Sequence, residues 1–577
     1  MTRWSAHNPI AGITARALAV VAGGMIIIAG CAPAPSASRT DSRAAAGPAG
    51  APKTLRIASV REPVDGIALF GGSGDANSQH TSVFHAGLTA YDGQGALLPR
   101  VAQKVPSISD GDWKVLPDGG MEVTWRLRPG ARWHDGTPLS AEDFVFGIKV
   151  VKDPEVPLPR TGGVSLVREV TASDPETLMV RWSQTYFGAN QGSPAEFPAV
   201  PRHIVGDLYR QGDKQAFVNS PYWAREFVGI GPYRMGEWAP GAYTEAHAFD
   251  AYFLGRPKID RVVLRYFLNP NAMVAGMLAG DIDLVTVGSL KMDDIQPVID
   301  AWGSQRGTVI PSLTDATYAQ FQFRNPDAPW ARDVRVRQAL SHLVDRQTLS
   351  DTFSPVGGPT DIFAAKQDPV YRLAEQRGFA RFPYDVARAE RLLAEAGWTR
   401  GADGMMLNAA GQRFAIEVRV VSRVEEGLAL TDQWKRGGLD AEMFTIGKGA
   451  SNQQEMKATN KGVFWNAHTL TPETLEMWKS SQIATEQNRW SGRNLSAYGN
   501  SEFDRLFDGY ANELDPAKSQ SLFADLLRWQ AGELFWVPAY YEVASAITAF
   551  RAGVRGPGGI LPVSKVATWN VHEWEME

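Results

Sequence analysis

The 577 residues include a single cysteine, Cys31, so no intramolecular disulfide, thiolate metal cluster or dithiol redox pair can form. Catalytic strings are missing too. The nine histidines are scattered, and neither an HExxH nor a GxSxG pattern occurs. Charge of one sign is scarce: 58 basic against 63 acidic residues give a net charge of -5, and there is no long basic run. That excludes a nucleic-acid surface built on a cationic patch. No cofactor or metal ion is expected, and no enzymatic step.

What is present is an ordinary globular composition, 44% apolar and 21% charged, on a chain long enough for two or three domains. Eighteen Trp and fifteen Tyr supply either core or the lining of a ligand cleft. At the N-terminus, Arg3 and Arg16 form a positive region before an apolar run from Ala17 to Ile28 that is too short to span a bilayer, the pattern of a signal peptide in residues 1–30. It ends in Ile28-Ala29-Gly30-Cys31, which resembles a bacterial lipobox; the resemblance implies lipidation of Cys31. Residues 31–53, rich in Ala, Pro, Ser and Gly, read as a flexible tether.

The most structured stretch is Met121–Gly147. Met121, Val123, Trp125 and Leu127 alternate with polar residues as in a half-buried strand. Pro129-Gly130 and Asp135-Gly136 are turns, and Ser140 caps a helix whose first turn carries Glu142 and Asp143. Downstream, Val228-Gly-Ile-Gly-Pro-Tyr-Arg234 allows a sharp turn into a strand, and no GK[ST] or GxGxxG follows it. Asp281 and Asp283 flank an apolar residue at a helix-to-strand turn and read as structural, as does His203 at the start of a helix. Asp333 and Asp385 cap helices, and Arg337 braces the fold.

The string TWRLRPGARWHDGTPLSAEDF resembles the signature of the family 5 solute-binding proteins, receptors of peptide and nickel ABC importers. Further matches fall in the family's order: His85-Ala-Gly-Leu88, Val228–Trp238, Leu278–Asp283, Asp333–Leu340, Asp385–Gly397, Ala497–Leu506 and Val537–Tyr541. The resemblance implies an α/β, two-lobed periplasmic-binding-protein fold of class II, cluster C type, with an extra small subdomain in the first lobe. The expected layout is lobe I over 54–312 with a subdomain inserted at about 80–222, lobe II over 313–533, and a C-terminal return to lobe I over 534–577.

It further implies an exported receptor, held at the cell envelope by its lipid and monomeric. Such a receptor closes on a peptide or small polar solute and delivers it to a permease and ATPase on separate chains. Two alternatives stand beside it: a binder of oligosaccharide or amino-acid conjugates, and an envelope scaffold or regulator on the same fold. Peptide-binding members carry a "G-W-x-x-D-Y-x-D-P", whose first Asp pairs with the peptide's amino group. The corresponding region here, Gly462–Trp478, aligns at Trp465 but supplies no Asp, with Asn466 and Glu473 the nearest polar residues. Glu62, Glu425 and Glu426 are the substitute carboxylates. The ligand-binding candidates are Glu62, Trp465, Asn466, Trp490 and Tyr540.

Overall fold

The computed structural model describes residues 52–577 apart from 61, 64–74, 94, 157–161, 196, 367, 448–451, 489, 544–545 and 561–565. The signal peptide, Cys31 and nearly all of the tether lie outside the described residues. The body from Pro52 to Glu577 forms one compact unit.

Two mixed sheets organise it. In lobe I, seven strands lie in the order Gly307–Pro311, Ile547–Arg551, Leu284–Val285, Thr54–Ser59, Arg261–Tyr266, Tyr243–Ala248, Tyr233–Ala239. In lobe II, five strands run Asp440–Thr445, Ala415–Val420, Gly462–Thr469, Asp315–Phe321, Trp536–Glu542. The last of these corrects the expected return at 534: Trp536–Glu542 still pairs with Asp315–Phe321, so the chain leaves lobe II only after Glu542. Its seven residues are all buried, because one face packs on the helices around Trp434 and the other on those around Trp478.

A third, four-stranded sheet (Trp113–Val115, Met121–Arg126, Thr177–Trp182, Val167–Asp174) has its own core, in which Met121, Val123 and Trp125 are at most 1% exposed. The alternation read from the sequence is therefore real. The helices Arg202–Arg210 and Lys214–Val218 instead pack Val205, Tyr209 and Phe217 into the lobe I core.

The signature stretch proves to be a fastening point. Trp133 donates through Nε1 to the buried Asp143 (3.2 Å), which also accepts from the Ser140 backbone N–H (3.0 Å) and so starts the helix Ala141–Lys152. His134 Nδ1 accepts from the Gly229 N–H (3.1 Å) and Nε2 lies 3.0 Å from the Gly231 carbonyl, which fixes the Nε2–H tautomer. These two glycines admit no side chain: a Cβ on Gly229 would fall 1.9 Å from the Phe84 carbonyl oxygen, and one on Gly231 would fall 2.4 Å from the His85 nitrogen. Three motifs far apart in sequence thus meet at one seam.

The remaining caps and braces are structural. Asp333 accepts from the Arg335 N–H and Asp385 from the Arg388 N–H, both at 2.8 Å. Arg337 is buried and donates to the carbonyls of Trp330 and Glu533, each at 2.6 Å. Asp283 is bound by Arg56 through both its backbone and its guanidinium (2.7–2.8 Å), and His203 meets Asp135 at 2.7 Å near the surface.

Candidate ligand-binding cleft

The chain passes between the sheets from Pro311 to Asp315 and from Glu542 to Ile547. Backbone bonds Ser312 N–H to Ala546 O (2.8 Å) and Thr314 N–H to Glu542 O (3.2 Å) tie the two crossings into a hinge. Strand direction then marks out the candidate cleft. Gly462–Thr469 runs antiparallel to Asp315–Phe321, with Thr469 opposite Asp315, so its carboxyl end lies at the hinge. Leu284–Val285, antiparallel to Ile547–Arg551, brings the carboxyl ends of the parallel lobe I strands there as well. Open α/β sheets bind ligands outside such ends.

The lobes also touch away from the hinge. The Phe187 N–H donates to the Ala511 carbonyl (3.1 Å), the Thr185 hydroxyl to Asn512 Oδ1 (2.6 Å), and the Phe187 and Tyr510 rings are 5.2 Å apart. A cavity of about 600 Å³ beside Arg306 and Arg551 lies at the opposite ends of the lobe I strands and is no part of the cleft.

The sequence candidates separate into four places. Trp465 and Tyr540, both buried, come together on Glu426, whose Oε2 accepts from the indole N–H (3.0 Å) and the phenol (2.7 Å). Asn466 points to the other face of the sheet, beside the Tyr318 hydroxyl. Glu62 lies in lobe I, accepting from Trp238 Nε1 (2.6 Å) and the Gly241 N–H (2.8 Å). Trp490, with a left-handed φ of 60°, lies 5.1 Å from the Arg324 guanidinium, beyond the far end of Asp315–Phe321. Glu425 is exposed on the first turn of Val424–Arg436, and the Glu473 side chain lies outside the described residues.

Two residues escaped the sequence reading. Arg423 bonds Glu426 (3.0 Å), Glu542 and, at 3.5 Å, the Thr317 hydroxyl. Burial alone would lower its pKa; Glu542 and Glu426 override that and raise it, so the guanidinium stays charged. The Tyr540 phenol is pushed up by burial and by Glu426, and stays protonated. His468 is the second, with Nδ1 2.5 Å from the Tyr318 hydroxyl. It stands three residues after Trp465, where the W-x-x-D pattern has its Asp. Counting that spacing was the available signal. For Arg423 the only local signal was its i,i+3 spacing to Glu426; its other partner, Glu542, is 119 positions away.

Residues 103–484 match the bacterial extracellular solute-binding proteins, family 5 (middle). The oligopeptide-binding protein AppA of Bacillus subtilis is 23% identical over 486 residues, covering 82% of this chain and 83% of its own. The oligopeptide-binding protein of Thermus thermophilus, solved with a pentapeptide, superposes with a TM-score of 0.71 at 22% identity, over 91% of this chain and 96% of that one. NikA of Brucella suis, solved with Fe(III)-EDTA, gives a TM-score of 0.71 at 18% identity, over 91% and 100%. The two-lobed fold is thus that of the periplasmic binding proteins, and the chain belongs to family 5 of the bacterial extracellular solute-binding proteins, receptors that capture solutes.

Proposed function

We propose that the protein captures peptides outside the cytoplasm and hands them to the permease of an ABC importer, whose ATPase is a separate chain. The observation that carries this reading is the meeting of two sets of strand ends at a two-strand hinge, in a chain whose full-length relatives include oligopeptide-binding proteins. Such a site works by hinge closure. Ligand shifts the open–closed balance only by its preference for the closed form, so walls from both lobes contribute. Glu62 with Trp238 forms one wall; Trp465, Tyr540, Asn466 and His468 belong to the other, with Arg423 and Glu426 holding it.

Cys31 would carry the lipid that keeps the receptor at the envelope, and the tether would let a monomeric body move above the membrane. The binding step makes or breaks no covalent bond, and we assign no catalytic role or cofactor.

The test is to load the purified full chain from a pool of random tri- to octapeptides and identify what is retained by mass spectrometry. A retained peptide at about a hundred times its dissociation constant stabilises the fold by about 2.7 kcal/mol, read as a raised melting temperature. Retention of sugars or amino-acid conjugates with no peptide would overturn the peptide reading.

A further inference from the structure

The lobe I sheet has two ends, and the cleft uses only one of them. At the end away from the hinge, where Thr54–Ser59 and Gly307–Pro311 begin, lies the cavity of about 600 Å³. Trp302 and Met576 give it an apolar lining, and Arg306 and Arg551 give it charge. Gly307 pairs with Arg551, and the Ala552 N–H donates to the Arg306 carbonyl (3.0 Å), so the two arginines leave neighbouring strands at the same level.

Both charges are surplus. Two carboxylates, Asp283 and Glu577, line the cavity, and each is already claimed from outside it. Asp283 accepts from the Arg56 backbone N–H and from its guanidinium at 2.7–2.8 Å, which leaves Arg551 at 3.7 Å. Glu577 pairs with Arg555. Arg551 donates to the Gly280 carbonyl (3.2 Å), and Arg306 meets no carboxylate among the described residues. Guanidinium forks match the oxygens of a phosphate, and two of them beside an indole suit a phosphate carried on a carbon body.

The chain enters lobe I at the same place. Lys53, the residue before the first strand, donates through Nζ to the Met576 carbonyl (2.6 Å). Cys31 precedes Thr54 by about 20 residues, a span of at most about 80 Å when extended. A lipid on Cys31 therefore brings this end of the lobe within reach of membrane headgroups.

We infer that the cavity binds the phosphate group of an anionic membrane lipid through Arg306 and Arg551, and so seats lobe I on the membrane with the cleft at its far end. The inference goes beyond the peptide reading and takes from it only the lipid on Cys31.

The test uses the full chain with Cys31→Ala, so that no attached lipid carries it to a membrane, and follows cosedimentation with phosphatidylcholine vesicles with and without phosphatidylglycerol. The expected result is stronger binding to the phosphatidylglycerol vesicles. It should fall about tenfold or more in the double variant Arg306→Gln, Arg551→Gln, because a basic side chain at an anionic surface is worth about fivefold. Arg306 is exposed, so Arg306→Gln alone, expected to lose about fivefold, keeps the test open if the double variant melts early. Lys435→Gln with Arg436→Gln, which removes two basic residues from lobe II, should change nothing. An equal loss there means attraction by net charge alone and overturns the inference, as does vesicle binding untouched by the cavity variants. Calorimetry with glycerol phosphate distinguishes the source of the phosphate. Binding of this soluble ester without binding of vesicles overturns the lipid and assigns the cavity to a free phosphate ester; absence of both overturns the site itself.

Discussion

Lobe I and lobe II solve the same packing problem with a different balance of buried side chains. Lobe I and its subdomain bury neutral imidazoles: burial lowers His80 and His85 to about 3, and His134 and His572 to about 4. Lobe II buries one such histidine, His342, and relies more on guanidiniums, of which lobe I buries Arg100. Arg346 is buried and donates to the carbonyls of Pro538 (2.8 Å), Phe382 (2.9 Å) and Ser341 (3.1 Å); burial lowers it to about 10, so it remains charged at neutral pH. Arg337 repeats the device, and Arg423 gathers two carboxylates instead. A neutral imidazole fills space at no electrostatic cost until acid charges it. A guanidinium keeps its charge and can gather carbonyls that would otherwise be unpaired. The comparison implies that lobe I, with four such histidines against one, is the more acid-sensitive half and that lobe II depends on single arginines.

The largest expected effect is on lobe II. Arg346→Ala strands the buried carbonyls of Pro538 and Phe382 and removes the donor to the Ser341 carbonyl and hydroxyl, and should cost about 3–5 kcal/mol in denaturant unfolding, with faster hydrogen exchange in Trp536–Glu542. An unchanged midpoint would break the comparison. Arg423→Met comes next: it leaves Glu542 and Glu426 buried without their cation. It should cost about 2–4 kcal/mol at pH 7, and part of that loss should be recovered as acid protonates the freed carboxylates.

Acid should act in the other direction on lobe I. These histidines have folded pKa values below the unfolded value of about 6.5, so the unfolded chain binds more protons between pH 6.5 and about 4. Stability is then full above pH 6.5 and falls through that window, by about 2 kcal/mol per fully buried imidazole at pH 5. Hydrogen exchange at pH 7 and pH 5, corrected for intrinsic rates, should show protection lost around Phe84, Gly229 and Gly231 before the strands of lobe II. Equal loss in both lobes would refute the contrast. The smallest effect belongs to the contact between the lobes. Phe187→Ala removes the ring pair with Tyr510 that joins the lobes, worth about 1 kcal/mol, and a second pair with Tyr186, and should widen the unliganded molecule in small-angle scattering with little change in melting temperature.

Much of the architecture was legible. The alternation at Met121–Leu127, the Asp caps at 333 and 385, and a run of motifs in family order each correspond to an observed element or identify the family. Their meaning was less legible. Trp133, His134 and the Gly229–Gly231 turn read as a family label, and the structure shows why those residue types are needed: a tautomer-fixed imidazole clamps a turn with no room for a Cβ. The five cleft candidates fared differently. Aromatic identity says that a ring is present, and nothing about which face of a strand carries it. Trp465 and Asn466, adjacent in sequence, therefore point to opposite sides of one sheet.

By itself the sequence determined the local elements, the turns that need glycine and the family, because alternation, capping and steric exclusion act over a few residues. Tertiary structure alone decided which polar groups meet. Arg423 with Glu542, Tyr318 with His468, and Glu62 with Trp238 join positions more than a hundred residues apart. A hydrogen bond depends on register and burial, and neither is written at any single position.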